Sequence, residues 1–157
     1  PESWKQEMLN RLKGVFTSFQ KHDVKYLVIG GIASILYGVP RATFALDILI
    51  EAILPNAQNL LKALVDAEMG AATLTTAEEL LSNEITVFKD KVRIDAQTST
   101  PGLIFDEAWK RREKMVYQGQ EFYVVSKADL IATKRASGRE IDLSDIKLLE
   151  ISKEEKD

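Results

Sequence analysis

The chain has 157 residues, a formal net charge of −3 and 45% hydrophobic residues, which predicts one soluble globular domain over residues 1–157. It contains no cysteine, so disulfide bridges and thiolate metal sites are excluded. No apolar run reaches the roughly 20 residues that span a bilayer, and no signal-peptide pattern is present. We therefore expect no membrane partner and a reducing, cytoplasmic setting. The acidic balance argues against a surface broadly coated by nucleic acid but is compatible with a local basic patch.

The first half of the chain shows helical and strand patterns in alternation. Apolar residues at helical spacing predict an amphipathic first helix, and a short apolar run then leads straight into Gly30. The helix after this run is closed by Gly38 and Pro40, and Pro55 introduces the next one. The predicted helices cover residues 3–21, 32–37, 56–68 and 76–81. The predicted strands cover residues 26–29 and 44–52.

The second half is predicted to contain two hairpins and three helices. Turns at Lys89-Asp90 and at 118–120 separate paired strand patterns. Ser126, with Asp129 three residues later, is an N-cap pattern for a helix that Gly138 ends. The predicted elements are strands over 84–88, 91–97, 115–117 and 121–125 and helices over 105–112, 127–136 and 142–151. Together these patterns indicate a mixed α/β (α+β) fold.

A glycine pair, Gly30-Gly31, stands where the first strand ends. Two glycines at a strand exit let the backbone approach a phosphate closely, and the helix that follows directs its free amides at negative charge. The second strand then offers Asp47 to a metal ion. This combination indicates a nucleotide held together with a divalent cation.

Two aspartates are predicted to lie on the polar faces of two strands. Residues two apart on a strand share a face, so Asp47 lies beside Ala45, and Asp95 lies beside Arg93 and Gln97. If the strands are neighbours, the two aspartates converge on one open site. Two carboxylates with phosphate oxygens and water suit Mg²⁺. The alternative is that each aspartate solvates its strand face or pairs with Arg93 or a lysine.

Two longer motifs resemble a known family. The first is Gly30-Gly31-x-Ala33-x4-Gly38-x2-Arg41-x-Thr43-x-Ala45-x-Asp47, and the second is Val125-Ser126-x2-Asp129-Leu130-Ile131-x2-Lys134 followed by Gly138-Arg139-x2-Asp142-x2-Asp145. They resemble the signature and the C-terminal helical motif of the DNA polymerase β-like nucleotidyltransferase superfamily. The most similar branch comprises its minimal nucleotidyltransferases and the related toxins of abortive-infection systems. The resemblance implies a small mixed sheet flanked by helices and a Mg²⁺-dependent transfer of a nucleoside monophosphate from a nucleoside triphosphate to a hydroxyl.

The resemblance also implies roles for individual residues. Asp47 and Asp95 are the expected catalytic metal ligands, with Asp95 near the attacking hydroxyl. Gly30 and Gly31 are expected to approach the triphosphate. Lys134 is expected near the phosphates, since a compact cation on a flexible stem suits that task; the alternative is a solvated helix face.

Three more residues of the first motif belong to the expected substrate-binding segment, namely Ser34, Arg41 and Thr43. We expect Arg41 and Thr43 to brace the turn and the strand entry rather than to touch the substrate, because an arginine fork can bind several loop carbonyls. For Asp142 we favour a helix N-cap over a role in the site.

Ala45 departs from the family pattern, which usually has a carboxylate here that bridges two metal ions. Alanine cannot bind a metal ion, and losing this ligand is expected to lower the rate by at least about 10²–10³-fold. Either the protein is a natural pseudoenzyme or an aspartate has been deliberately replaced. A one-residue register slip is a weaker explanation, since Asp47 keeps its spacing from Arg41 and Thr43.

Three functions follow from these observations. The first is an inactive or impaired Mg²⁺-dependent nucleotidyltransferase whose acceptor is RNA, a protein hydroxyl or an antibiotic. The second is a nucleotide- or partner-binding module with an antitoxin-like protein partner, as in a toxin–antitoxin system. The third is a structural α/β domain in which the glycine pair only permits close packing.

Trp109 precedes three cationic residues, 110–112, and this combination of a ring and cations is typical of a local nucleic-acid contact. The interpretation that we favour is that Trp109 packs inward while the charges face water.

Overall fold

The computed structural model describes residues 2–43 and 45–156, with side chains over 3–43 and 45–151. Phe44, predicted to begin the second strand, lies outside the described residues. The helices are α1 (Glu2–Lys21), α2 (Gly30–Leu36), α3 (Leu54–Asp66), α4 (Ala77–Ser82), α5 (Phe105–Lys110), α6 (Lys127–Ser137) and α7 (Glu140–Lys156). The strands are β1 (Tyr26–Ile29), β2 (Ala45–Ile50), β3 (Ile85–Lys89), β4 (Arg93–Gln97), β5 (Glu113–Tyr117) and β6 (Gln120–Val124).

The strands form a mixed sheet with the order β3-β4-β2-β1-β6-β5. The central strands β1 and β2 are antiparallel, while β4 lies parallel to β2 and β6 lies parallel to β1. Each outer pair, β3/β4 and β5/β6, is an antiparallel hairpin. The α+β fold class predicted from the sequence is confirmed, with helices flanking a six-stranded sheet.

The core lies on the central strands, and every residue of β1 is buried. Helix α1 is held to the sheet by aromatic rings, since the centroids of Phe16 and Phe122 are 4.4 Å apart and the rings are stacked. Phe19 and Tyr26 extend this cluster with ring centroids 4.7 Å apart. Offset aromatic pairs add to the stability that burial alone provides. The apolar face of α1 is thus fixed across β1 and β6.

Most predicted elements are present, with shifted ends. Helix α2 begins at Gly30, two residues before the predicted start, because the backbone turns from β1 directly into the helix. The N-cap prediction at Ser126 is confirmed, since its hydroxyl accepts a hydrogen bond from the Asp129 amide at 3.1 Å. Gly138 ends α6 with a φ of +67°, as a C-terminal glycine does. A 3₁₀ turn over Gly70–Leu74 was not predicted, because five residues carry no readable periodicity.

None of the helices within residues 2–43 and 45–156 is long and apolar enough to cross a membrane.

A buried charge network joins the last two helices to the loop before β2. The Lys134 ammonium on α6 donates to Asp145 at 2.9 Å and to Asp142 at 3.5 Å, both on α7. From the loop, Arg41 donates to Asp145 at 2.6 Å. Arg139 donates to Asp142 at 2.7 Å. Buried charges are tolerated when each has a partner, so this network fixes α7 against α6 and the loop.

Asp145→Asn should lower the free energy of unfolding by about 3 kcal/mol, because it removes the anion shared by Arg41 and the buried Lys134. The control is Glu150→Gln, which breaks the exposed pair of Arg135 and Glu150 between the same two helices. That control should have little effect, since exposed ion pairs contribute little. Urea unfolding measures both, and equal losses would contradict the assigned role of the network.

Candidate active site

The two predicted aspartates lie side by side. Strands β2 and β4 are parallel neighbours, and Asp47 is directly opposite Asp95 in their register. Two residues earlier on each strand, Ala45 is opposite Arg93. The alternation of side chains across the strands places these four residues on one face of the sheet. The structure therefore brings Asp47 and Asp95 together at the start of β2 and β4.

Gly30 lies against Asp47 at the exit of β1. Its φ of +69° is in the left-handed region, and a Cβ built there would lie 3.1 Å from the Cβ of Asp47 and closer still to the carboxylate. A side chain at Gly30 would therefore be strained and would displace Asp47. Gly31 is different, since it is buried and its added Cβ would meet Oγ1 of Thr43 at 3.1 Å. Gly30 borders the site, and Gly31 permits close packing behind it.

These residues open into a cleft of about 540 Å³. Its walls come from the sheet, from the loop after β4 and from α6 and the start of α7. The cleft is lined by Ile29, Gly30, Thr43, Ala45, Asp47, Ile85, Arg93, Asp95, Gln97, Thr100, Pro101, Thr133, Lys134, Ser137, Arg139 and Asp142. Its volume lies within the usual range of small-molecule sites.

Asp47 has an unusual protonation equilibrium. Burial raises its pKa from 3.8 to about 6, and the adjacent Asp95 adds to this increase through its charge and a hydrogen bond between the two side chains. The charges of Arg93 and Arg139 act in the opposite direction but do not cancel the effect. A carboxylate crowded in this way gains from a cation, so the pair has the electrostatics of a metal site.

Asp95 already has one cationic partner. Arg93, two residues earlier on the same face of β4, donates from Nε to Oδ1 at 2.9 Å and from a terminal nitrogen to Oδ2 at 3.2 Å. This bidentate pairing raises the pKa of Arg93. Asp95 thus pairs with Arg93, which was the alternative considered for one of the aspartates. Asp47 lines the cleft.

Ser34, Arg41 and Asp142 each differ in part from what the sequence predicts. Ser34 is fully buried in α2, where its hydroxyl donates to the carbonyl of Gly30 at 3.2 Å, so it lies beneath the cleft and does not line it. Arg41 braces the loop as expected, but its partner is the carboxylate of Asp145 and not a set of loop carbonyls. Asp142 is the third residue of α7 and not its N-cap.

Lys134 lines the cleft, and its ammonium is bound to two carboxylates; the residue is only 4% exposed. Burial alone would raise the pKa of Asp142, yet hydrogen bonds from Arg139 and Ser137 and the charge of Lys134 hold that pKa below its usual value. The solvated helix face considered for Lys134 is therefore wrong, because its helix packs against α7.

Arg139 has no role among the residues predicted from the sequence. This residue lines the cleft, binds Asp142 and places a positive charge near Asp47. The signal for it was its position directly after Gly138, the glycine that ends α6.

The donor set fits one hydrated Mg²⁺ ion. Within residues 2–43 and 45–156, no group of three or more histidine, cysteine, aspartate or glutamate side chains is placed to hold a metal ion. Asp47 and Asp95 supply two carboxylates, and Mg²⁺ commonly takes its other ligands from water and substrate phosphates. Gly30, beside them, lines the same cleft.

The mixed sheet, the paired aspartates and the adjoining glycine define a nucleotidyltransferase-like domain. Residues 7–155 match the family model described as "Nucleotidyltransferase of unknown function (DUF6036)", and the chain belongs to this family. A search of curated proteins found no match.

Gly30→Ala should lower the free energy of unfolding by about 1–2 kcal/mol, because alanine is strained at this left-handed φ and its Cβ collides with Asp47. Gly14→Ala is the control, since no heavy atom lies within 4 Å of its added Cβ in the middle of α1. That change should stabilise the helix by up to about 1 kcal/mol. Thermal or urea unfolding measures both, and a neutral Gly30→Ala variant would contradict the close approach.

Asp47→Asn should become progressively more stable than the parent protein as the pH rises. The folded state holds the Asp47 proton up to about pH 6, whereas the unfolded chain releases it near 3.8, so the parent loses stability through this window. The gain of Asp47→Asn over the parent should grow by ~2–3 kcal/mol between acidic and neutral pH, measured by urea unfolding without divalent cations.

The control for that pH series is Asp66→Asn. Hydrogen bonds from Lys21 and His22 hold the pKa of Asp66 below its usual value, so this variant should lose stability relative to the parent as the pH rises. If the difference in free energy of unfolding between Asp47→Asn and the parent does not change with pH, the pKa of Asp47 is not raised in the folded state.

Proposed function

We propose that this protein is a Mg²⁺-dependent nucleotidyltransferase scaffold that binds a nucleoside triphosphate beside Gly30, Asp47 and Asp95. With alanine at position 45, its transfer activity is absent or strongly impaired. The observation that carries the proposal is the direct pairing of Asp47 with Asp95 in register, next to a glycine with no room for a side chain. The membership in a nucleotidyltransferase family supports it.

Each residue of the cleft has its own role in the proposed reaction. Asp47 and Asp95 would hold a Mg²⁺ ion, which when bound would supply Lewis-acid polarisation of the phosphoryl group. Gly30 lets the backbone approach the triphosphate. Arg139 contributes positive charge toward the phosphates, and Lys134 positions it through Asp142, which both side chains bind.

The proposed transfer is a nucleophilic substitution at the α-phosphorus. The hydroxyl oxygen of the acceptor bonds to that phosphorus, the bond to the bridging oxygen breaks, and pyrophosphate leaves with the electron pair. Asp95 accepts the hydroxyl proton, since its carboxylate is next to the metal-binding Asp47. The Arg93 guanidinium, now bound to Asp95, must move aside for this step.

Ala45 explains the expected impairment. It stands two residues before Asp47 on the same face of β2, opposite Arg93, where a third carboxylate would complete a two-metal site. The register of Asp47 with Asp95 argues against a slipped alignment of the motif. A natural replacement or a deliberate exchange of an aspartate are the two remaining explanations.

A second candidate function is a natural pseudoenzyme of the minimal-nucleotidyltransferase or abortive-infection branch, acting in the cytoplasm as a nucleotide- or partner-binding module with an antitoxin-like protein. The observation that favours it is the bidentate bond from Arg93 to Asp95, which neutralises one carboxylate without a metal ion. In such a protein, the site would retain binding and lose turnover.

Ala45→Asp should raise nucleotide transfer by at least about 100-fold over the parent, because it supplies the missing anionic ligand. Incorporation of α-labelled nucleotide into RNA, protein or an antibiotic acceptor measures this in Mg²⁺. Ala45→Asn is the matched control, with a similar size and no charge, and should remain inactive.

Thermal stabilisation by Mg²⁺ and a nucleoside triphosphate separates the two candidates. A variant Ala45→Asp that binds nucleotide without turnover supports the pseudoenzyme. A variant that neither binds nor transfers shows that the site is assigned wrongly.

A further inference from the structure

Strand β3 forms an open, apolar edge of the sheet. It stands at one end of the strand order and, within the described residues, pairs with β4 alone. Ile85 is 52% exposed and Val87 is 47% exposed, and both lie on the face of the sheet that carries Asp95. On the other face, Phe88 is buried in the core. An exposed edge strand with apolar side chains is a template for pairing with another strand.

The backbone of β3 directs alternate residues away from β4. At one end of the hairpin the Thr98 amide donates to the carbonyl of Glu84 at 3.0 Å, and at the other the Asp90 amide donates to Val92 at 3.1 Å. Facing pairs in an antiparallel ladder alternate between hydrogen-bonded and non-hydrogen-bonded pairs. Both of these pairs keep the β3–β4 register, so the even-numbered residues bond to β4. The outward N–H and C=O groups belong to the odd-numbered residues, Ile85, Val87 and Lys89.

The opposite edge of the sheet, β5, is less suited to pairing. The β5/β6 hairpin closes on a two-residue turn at 118–119, so the pair that flanks the turn is hydrogen-bonded. The outward residues of β5 are therefore Lys114 and Val116, and Lys114 is bound to Glu121. A charged side chain in the middle of an edge strand blocks edge-to-edge pairing. One open edge in each chain favours a closed pair of chains over a growing fibre.

The side chains of β3 fit a second β3 that runs antiparallel to it. With Val87 on a two-fold axis, Val87 faces its own copy and Ile85 faces Lys89 of the partner subunit. Lys89 is the only charged residue of β3, and this arrangement places the two lysines at opposite ends of the paired strands. A parallel pairing in register would put them side by side, and like charges directly opposite each other destabilise a sheet. The antiparallel arrangement also pairs all three outward residues, and each such pair exchanges two N–H···O bonds.

The acidic residues that flank β3 do not obstruct this pairing. Glu84 precedes the strand, and alternation places its side chain on the face opposite Val87. The carboxylate of Asp90 accepts hydrogen bonds from the amides of Ala71 at 3.3 Å and Lys91 at 2.9 Å, which hold it within its own chain.

We propose that two copies of this chain form a dimer in which their β3 strands pair antiparallel about a two-fold axis at Val87. The two six-stranded sheets then join into one continuous sheet. This inference goes beyond the proposed function, since the pairing of the strands needs neither a nucleotide nor a metal ion. Ile85 also lines the active-site cleft, so the pairing brings Lys89 of the partner subunit to the rim of that cleft.

Sedimentation equilibrium of the parent protein over a series of concentrations tests the proposal by measuring the Kd of the dimer. Val87→Glu should raise this Kd at least about tenfold, because it places two like charges opposite each other across the axis. Val116→Glu is the matched control, with the same substitution at the outward, 60% exposed valine of the other edge strand. The control should leave the Kd of the dimer unchanged.

A charge exchange separates lost pairing from lost folding. Val87→Lys should also weaken the dimer when it is measured alone. An equimolar mixture of Val87→Glu and Val87→Lys should dimerise more tightly than either variant, because opposite charges then face each other across the axis. Four results would overturn the proposal: a parent that stays monomeric throughout the series, an unchanged Kd for Val87→Glu, an equal loss for Val116→Glu, or a mixture that dimerises no better than its components.

Discussion

The contact between Gly30 and Asp47 is the constraint on which the site depends. The backbone of β1 turns into α2 at a left-handed glycine, and this turn presses against the carboxylate that faces Asp95. Placing two carboxylates beside a closely packed backbone disfavours the ionised form of Asp47 in the folded state, as its raised pKa shows. Such an arrangement is expected where an ionised pair is needed to bind a cation.

Two nearby arginines reduce the repulsion between the carboxylates and set the charge of the cleft. Arg93 neutralises Asp95 directly, while Arg139 acts on Asp47 from the start of α7. Arg139 is held in place through Asp142 and the buried Lys134, so the packing of α6 on α7 determines where its charge lies. The packing of the helices therefore also sets the electrostatics of the cleft, because buried ion pairs position the charges that line it.

Local sequence patterns predicted much of this arrangement. Uninterrupted apolar residues located β1 over 26–29, and strict alternation placed Asp47 and Asp95 on polar faces. That β2 pairs in parallel with β4 could only be assumed, because the two strands are far apart in sequence and no local signal encodes their register.

Other features could not be read from the sequence for physical reasons. Helical spacing assigns a residue to a face but not to a depth, so the burial of Lys134 between two carboxylates was not predicted. Ser34 has the chemistry of a phosphate contact, but its hydroxyl is used within its own helix. A second cleft lies between α1 and the turn that joins β3 to β4, and only the folded chain brings Trp4 and Lys89 to one surface.

The most direct test of the account is a crystal structure of the protein with Mn²⁺ and a non-hydrolysable nucleoside triphosphate. Anomalous scattering locates the metal ion independently of any assumption about the site. The account predicts a Mn²⁺ peak between Asp47 and Asp95, with the triphosphate against the backbone of Gly30. A metal ion bound elsewhere, or a triphosphate that contacts neither Gly30 nor the aspartate pair, would contradict it.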